Sequence, residues 1–209
     1  METIPQIRVL CVDDHPVVRD GIALMLQGHD RLRLVATAEC GREAITKFRE
    51  FRPDVTLMDL RLPDYHGADV ITELRKTDGR ARIVALTTYA GDFQASRALK
   101  AGAMGYLLKG SLRTELIETI FAVHAGQRRI SPEVAASISE HLMSEALTVR
   151  EIEILRLLCG GLSNSEIAKR LRISIETVRG HLKCIYQKLG ANDRTQAAVI
   201  SLKRGILGD

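Results

Sequence analysis

The feature that most constrains this chain is a fivefold alternation within its first 125 residues. Five short apolar runs stand out: Ile7–Val12 (IRVLCV), Leu32–Thr37 (LRLVAT), Val55–Met58 (VTLM), Arg82–Thr87 (RIVALT) and Gly105–Lys109 (GYLLK). Between them lie segments with apolar residues at helical spacing: Val17, Ile22 and Leu26; Ala44, Ile45 and Phe48; Val70 and Leu74; Ala95 and Leu99. Leu112, Leu116, Ile120 and Val123 continue the pattern after the fifth run. Strands that alternate with helices of this length pair in parallel, with helices over both faces of the sheet. The runs are near-continuous rather than alternating, as strands buried on two sides require. Residues 1–125 are therefore expected to form an α/β domain, a doubly wound five-stranded parallel sheet.

The last third has a different texture. Thr148-x-x-Glu151 and Ser163-x-x-Glu166 read as capping boxes, and Ser174 and Asp193 are good N-cap types, the latter with Gln196 three residues on. Gly160-Gly161 and Gly190 stand where glycines end helices. Residues 146–209 are thus expected to form a small all-α domain of four helices. Two of these, Asn164–Leu171 and Ile175–Leu189, are joined only by Arg172–Ser174, the spacing of a helix-turn-helix. Residues 126–145 are rich in small and polar types, with Pro132 opening a weakly amphipathic helix, and read as a linker.

Charge divides the chain the same way. Met1 to Val123 holds 17 Lys and Arg against 17 Asp and Glu, whereas Thr148 onward holds 11 against 6. A neutral first half and a basic last third imply an anionic partner for the second. Cys11, Cys40, Cys159 and Cys184 are scattered, without CxxC spacing, and read as reduced thiols of a cytoplasmic protein. No apolar run approaches the roughly 20 residues of a membrane span, and the start has no signal-peptide pattern.

In open parallel sheets, ligands sit beyond the carboxyl ends of the strands. The first run here finishes on Asp13-Asp14, the third on Asp59, the fourth on Thr87-Thr88 and the fifth on Lys109. Singly, each has a structural reading: a helix cap before Pro16, a turn residue before Pro63, a β-branched strand end, a solvated lysine. Together they converge three carboxylates, a hydroxyl and an ammonium on one rim. Clustered carboxylates raise one another's pKa unless a cation neutralises them. The hard oxygen set, short of ligands for calcium, suits Mg²⁺ with retained waters. Lys109 balances charge and can bind a phosphoryl oxygen, completing the equipment for phosphoryl transfer. His15 and His66 lie near the rim and read as surface or loop residues. Tyr89 has the bulk and position to shield the rim from water.

On a helical wheel, Val178, Leu182, Ile185 and Leu189 form one core stripe, with His181 bordering it. The opposite face carries Glu176, Gly180, Lys183 and Gln187, flanked by Thr177, Arg179 and Cys184, with Lys188 close by. Arg179 and Lys183 can meet phosphates or guanine edges, Gln187 can read adenine, and Gly180 permits close approach to a groove. Glu176 favours the helix N-terminus through its charge. Thr177, Arg179, Gly180, Lys183, Gln187 and Lys188 are the expected contacts to double-stranded DNA.

Two resemblances sharpen these readings. "VDDHP", "LMDLRLPDYHG", "ALTTY" and "GAMGYLLKG", over roughly residues 7–125, resemble the flavodoxin-like receiver domain of bacterial two-component response regulators. The resemblance implies that Asp59 is phosphorylated by a cognate histidine kinase. It further implies that Asp14, Asp59 and the backbone carbonyl of Arg61 bind Mg²⁺, with Asp13 helping through water. Lys109 would then contact the phosphoryl group, Thr87 would be the switch hydroxyl, and Tyr106 the switch aromatic that turns inward. From about Ala146 to Leu207 the chain resembles the LuxR-type helix-turn-helix of NarL/FixJ-class regulators. That likeness makes Ile175–Leu189 the recognition helix and implies a homodimer through Ala197, Ile200 and Ser201 of the last helix, on paired half-sites. It also raises the expectation that the receiver masks the recognition helix until phosphorylation. The expected function is a phosphorylation-activated transcription regulator rather than an enzyme. A haloacid-dehalogenase-type phosphatase would need DxD where this chain has adjacent acids, and a small-molecule-gated regulator would need a roomier ligand domain.

Overall fold

The computed structural model describes residues 6–88, 92–131, 134–136 and 147–206. The chain separates into two compact units, with the boundary after Ala135.

The first unit is a parallel sheet: β1 (Ile7–Val12), β2 (Leu32–Ala38), β3 (Val55–Asp59), β4 (Ile83–Thr87), β5 (Gly105–Leu108) and a two-residue β6 (Arg129–Ile130). Their order is β2-β1-β3-β4-β5-β6, every pair parallel. Helices α1 (Pro16–Gln27), α2 (Gly41–Phe51), α3 (Gly67–Thr77), α4 (Asp92–Ala101) and α5 (Leu112–His124) make the crossovers. The order reverses about β1, which places a switch point between β1 and β3, where such sheets bind ligands.

Burial explains the continuous apolar runs, since every residue of β3 and β4 is inaccessible. Ile22 and Leu26 of α1 and Leu112, Leu116, Ile120 and Val123 of α5 pack with Val9, Cys11, Leu57, Val84, Leu86 and Leu107 in one core cluster. The intervening strand residues Leu10, Val12, Met58 and Ala85 are equally buried, as the period-2 geometry of a strand covered on both faces demands. Each Leu or Ile taken fully out of water contributes about 1.5–3 kcal/mol.

Two boundaries differ from the expected ones. Lys109 lies not in β5 but at the start of a 3₁₀ turn, Lys109–Ser111. Part of the expected linker is sheet: Gly105 pairs with Arg129 and Tyr106 with Ile130, and the Arg129 N–H donates to Met104 O at 2.9 Å. The helix expected from Pro132 falls largely outside the described residues.

The second unit contains α6 (Val149–Cys159), α7 (Asn164–Leu171), α8 (Ile175–Leu189) and α9 (Arg194–Lys203). Both capping boxes form, Thr148 with Glu151 and Ser163 with Glu166. Ser174 accepts from Thr177 N–H at 3.0 Å, and Asp193 from Gln196 N–H at 2.7 Å. Gly190 closes α8 in the left-handed region (φ 66°), while Arg172, a non-glycine, does the same for α7 (φ 54°). Val178, Leu182, Ile185 and Leu189 bury against Ile154, Leu155, Leu158, Ile167 and Ala197. Glu151, itself buried, accepts from Lys188 Nζ at 2.9 Å and so ties α6 to the end of α8.

Candidate functional site

β1, β3 and β5 deliver their carboxyl ends to one rim. Asp13 continues β1 by donating its N–H to Ala38 O at 3.0 Å, which aims its carboxylate into the rim with no solvent exposure. Asp59 ends β3 and is buried. Between the two sits the Lys109 ammonium, 2.7 Å from Asp59 Oδ2 and 2.8 Å from Asp13 Oδ2. The second oxygen of Asp59 accepts from Arg61 N–H at 3.2 Å, and that of Asp13 accepts from His15 N–H at 3.0 Å. Asp14 stands at the solvent edge, with His15 Nδ1 2.6 Å from its Oδ1.

The electrostatics follow from this burial. Loss of water pushes the Asp59 carboxyl above its ordinary range; the Lys109 hydrogen bond opposes that rise and the neighbouring Asp13 charge adds to it. Burial alone would lower the Lys109 pKa, yet its close contacts with the Asp13 and Asp59 carboxylates hold it above the usual lysine value. The thiol of Cys11, behind the rim, is pushed up to about 12 by burial and then by the Asp13 charge.

These residues also fit a divalent cation. Asp13, Asp14, Asp59 and His15 each offer a ligand atom within 4.8 Å of the others. Buried Asp13 Oδ2 has the charge of Lys109 beside it but no directed hydrogen bond. Three carboxylates against one ammonium leave a surplus of negative charge in a hard oxygen set, the environment of Mg²⁺.

The rim thus gathers Asp13, Asp14, Asp59 and Lys109, with the Arg61 backbone anchored to Asp59. Thr87 ends β4, buried, in the rung beside Leu108. Tyr106 is fully buried on β5, the strand beside β4. His66 is a helix cap: its Nδ1 accepts from Ala68 N–H at 3.2 Å. His15 is the exposed surface residue its sequence reading made it, with Nδ1 turned to the Asp14 carboxylate. Tyr89 lies outside the described residues.

Three neighbours escaped sequence reasoning. Asp64 turns back to accept from Gly41 and Arg42 N–H at 2.7 and 2.9 Å, capping α2 from the loop that follows Asp59. Arg19 donates to Asp13 O at 2.7 Å and pairs with Glu39. Gly67 opens α3 so close to β3 that a Cβ there would lie 2.1 Å from Asp59 O. Only the glycine in "DYHG" hinted at the last.

In the second unit, Glu176, Thr177, Arg179, Gly180, Lys183, Cys184 and Gln187 are all exposed along α8. The Thr177 hydroxyl is shared with Ser174 at 2.9 Å. Lys188 does not join that face, because its ammonium is only 16% exposed and is spent on Glu151. Two of the three expected dimer residues also need correction. Ala197 and Ser201 are fully buried in the unit's own core, with Ser201 Oγ donating to Ala197 O at 2.6 Å, and Ile200 packs against that core. The apolar residues α9 turns outward are Val199 and Leu202, 48% and 57% exposed.

An acidic-rimmed α/β unit joined to a helix-turn-helix unit defines a class, the two-domain signalling regulator. The chain matches the response regulator receiver domain over residues 9–121 and the luxR family of bacterial regulatory proteins over residues 145–201. It belongs to the response regulators of two-component systems that carry a LuxR-type DNA-binding domain. It is 35% identical to the response regulator protein VraR of Staphylococcus epidermidis over 206 residues, 96% of this chain and 99% of that one. Among solved structures, the response regulator ChrA of a heme-sensing two-component system is 37% identical, with 96% of this chain and 98% of that one covered and a TM-score of 0.58. The response regulator RcsB, solved in complex with DNA, is 25% identical over 95% of this chain and 98% of that one, with a TM-score of 0.69. Among the described residues, no helix is long and apolar enough to cross a membrane.

Proposed function

We propose that Asp59 is the phosphoacceptor and that its modification controls dimerisation and promoter binding by the second unit. The observation that carries this reading is the buried Asp59 carboxylate held by Lys109 beside Asp13. A carboxylate oxygen of Asp59 attacks the phosphorus of a phosphohistidine on the partner kinase. The phosphorus–nitrogen bond breaks, and its electron pair returns to the imidazole, which takes up a proton. Lys109, already charged, then faces a phosphoryl oxygen as well as a carboxylate. Asp13, Asp14, Asp59 and the Arg61 carbonyl would hold Mg²⁺, which neutralises charge on the transferring group. Thr87, at the end of β4, donates its hydroxyl to a phosphoryl oxygen, and the buried Tyr106 ring couples that movement to β5.

Exposed Arg179, Lys183, Gln187, Thr177 and Gly180 form the surface that enters the major groove. Val199 and Leu202 supply the apolar part of a homodimer contact through α9, which sets two recognition helices on paired half-sites. The protein works in the cytoplasm, where its kinase partner and DNA are both available.

The test is acetyl phosphate or beryllofluoride with Mg²⁺, followed by intact-mass measurement, sizing and DNA anisotropy on wild type and Asp59→Asn. A covalent phosphoryl adduct from acetyl phosphate, with acetate released, confined to wild type and accompanied by tighter DNA binding, is expected. A wild-type adduct elsewhere than Asp59 overturns the assignment. DNA affinity should fall steeply with salt, each phosphate contact contributing about one unit to the log–log slope.

A further inference from the structure

At the amino-terminal end of the sheet, away from the acidic rim, the approaches to β3 and β4 border a cavity of about 500 Å³. Four arginines line it, Arg49, Arg52, Arg80 and Arg82, over an apolar wall that includes Phe48 and Ala81. Small-molecule sites commonly span about 300–1,000 Å³.

The charge here is only half neutralised from within. Asp54 and Asp78 share the lining and offset part of that charge, though each turns one oxygen to a backbone N–H, Asp54 Oδ2 to Arg8 and Asp78 Oδ1 to Arg80, both at 2.8 Å. Among the described residues, none of the four guanidinium groups has an ion-pair or hydrogen-bond partner. Some arginines of this unit are paired, Arg19 with Glu39, Arg97 with Asp69 and Arg129 with Glu118, while the scattered Arg33, Arg42 and Arg113 are not, so it is the gathering of four around one cavity that is distinctive among the described residues. Four arginines against two aspartates leave this lining with a formal net charge of +2, in a stretch that is balanced, 17 against 17, up to Val123.

Arg52 adds an independent sign. It ends α2 in the left-handed region (φ 42°, ψ 63°), where glycine or asparagine sits at lower cost. Its backbone carbonyl accepts from Arg8 Nη1 at 3.2 Å, and Arg8 is itself aligned with Arg33 across β1 and β2.

We propose that this cavity binds a small polyanion of the polyphosphate class, either a nucleoside di- or triphosphate or an inorganic phosphate chain. Guanidinium groups grip phosphate oxygens bidentately, and several fixed around one cavity favour several linked phosphates over one. Phe48 and Ala81, both largely buried, leave a nucleobase only a narrow apolar edge beside the arginines.

Calorimetric titration of the full chain in EDTA, which keeps magnesium–nucleotide complexes off the carboxylate rim, tests this with ATP, tripolyphosphate, orthophosphate and adenosine. ATP, tripolyphosphate or both should bind with Kd below about 1 mM, while orthophosphate and adenosine bind more weakly. Arg52→Gly and Arg80→Gln should each weaken binding about tenfold, the loss of one charge-assisted contact. Arg52→Gly should do so without lowering the melting temperature, since it relieves the left-handed residue. ATP binding more tightly than tripolyphosphate assigns a nucleotide, and equal binding assigns the phosphate chain. The proposal is overturned if neither binds, if adenosine binds as well as ATP, or if both variants bind like wild type, which would move the anion to the basic second unit.

Discussion

Replacing Gly67 by alanine tests how tightly the phosphoacceptor strand is held. A Cβ at this position would stand 2.1 Å from Asp59 O and 2.7 Å from Leu60 Cα. An ordinary carbon–oxygen contact is about 3.3 Å, so α3 and the end of β3 must part by about 1 Å. Overpacking of this kind costs about 1–3 kcal/mol, and the upper end applies because both obstacles are backbone. At about 4 °C per kcal/mol for a unit of this size, the receiver transition should fall by on the order of 10 °C. The displaced atoms belong to Asp59 itself, and a misplacement near 1 Å at a reacting group lowers a rate by on the order of a hundredfold. Gly21→Ala is the matched control. It lies inside α1 with nothing within 4 Å of the added carbon, so it should stabilise by about 1 kcal/mol through helix propensity alone. Calorimetry and the rate of acetyl-phosphate labelling read both variants. If Gly67→Ala melted within about 2 °C of wild type and labelled normally, the close approach of α3 to β3 would be wrong.

Other outcomes follow from single features. Gly180→Ala, also with open space around the new carbon, should stabilise α8 by up to about 1 kcal/mol yet weaken DNA binding, seen as a higher melting point with a lower anisotropy affinity. Burial would raise the Glu151 pKa, but the Thr148 N–H and Lys188 hold it below the ordinary 4.5. Its contribution to stability is therefore present above that value and lost as pH falls through the lower folded pKa, so Glu151→Gln should flatten the acid limb of the second unit's melting curve. Timed alkylation of the native chain should label exposed Cys184 first and Cys11 last, because Cys11 is buried with its pKa at about 12. Early labelling of Cys11 would contradict the packing of β1.

What could be read from the chain beforehand was what local pattern encodes. The βα alternation, both capping boxes and the core stripe of α8 all repeat at fixed spacing, and the rim acids follow from where strands end. The missed features need partners remote in sequence. Lys188 looks like any solvated lysine until Glu151, 37 positions earlier, is folded against it. Asp64 caps a helix that begins 23 residues upstream. Ala197 and Ser201 are small enough to suit a subunit contact or a core, and only the packing of α9 decides between them. The two-residue β6 is too short to leave any periodic trace.

That last strand governs where the molecule can be cut. A fragment ending at Ala125 would strip β5 of its outer neighbour and leave the backbone groups of Gly105 and Tyr106 without the pairing they have with Arg129 and Ile130. Bare margins of this sort recruit other chains. Self-association of so short a piece would report the missing ribbon rather than signalling, and a truncation meant to mimic the lone receiver should retain residues through Ala135.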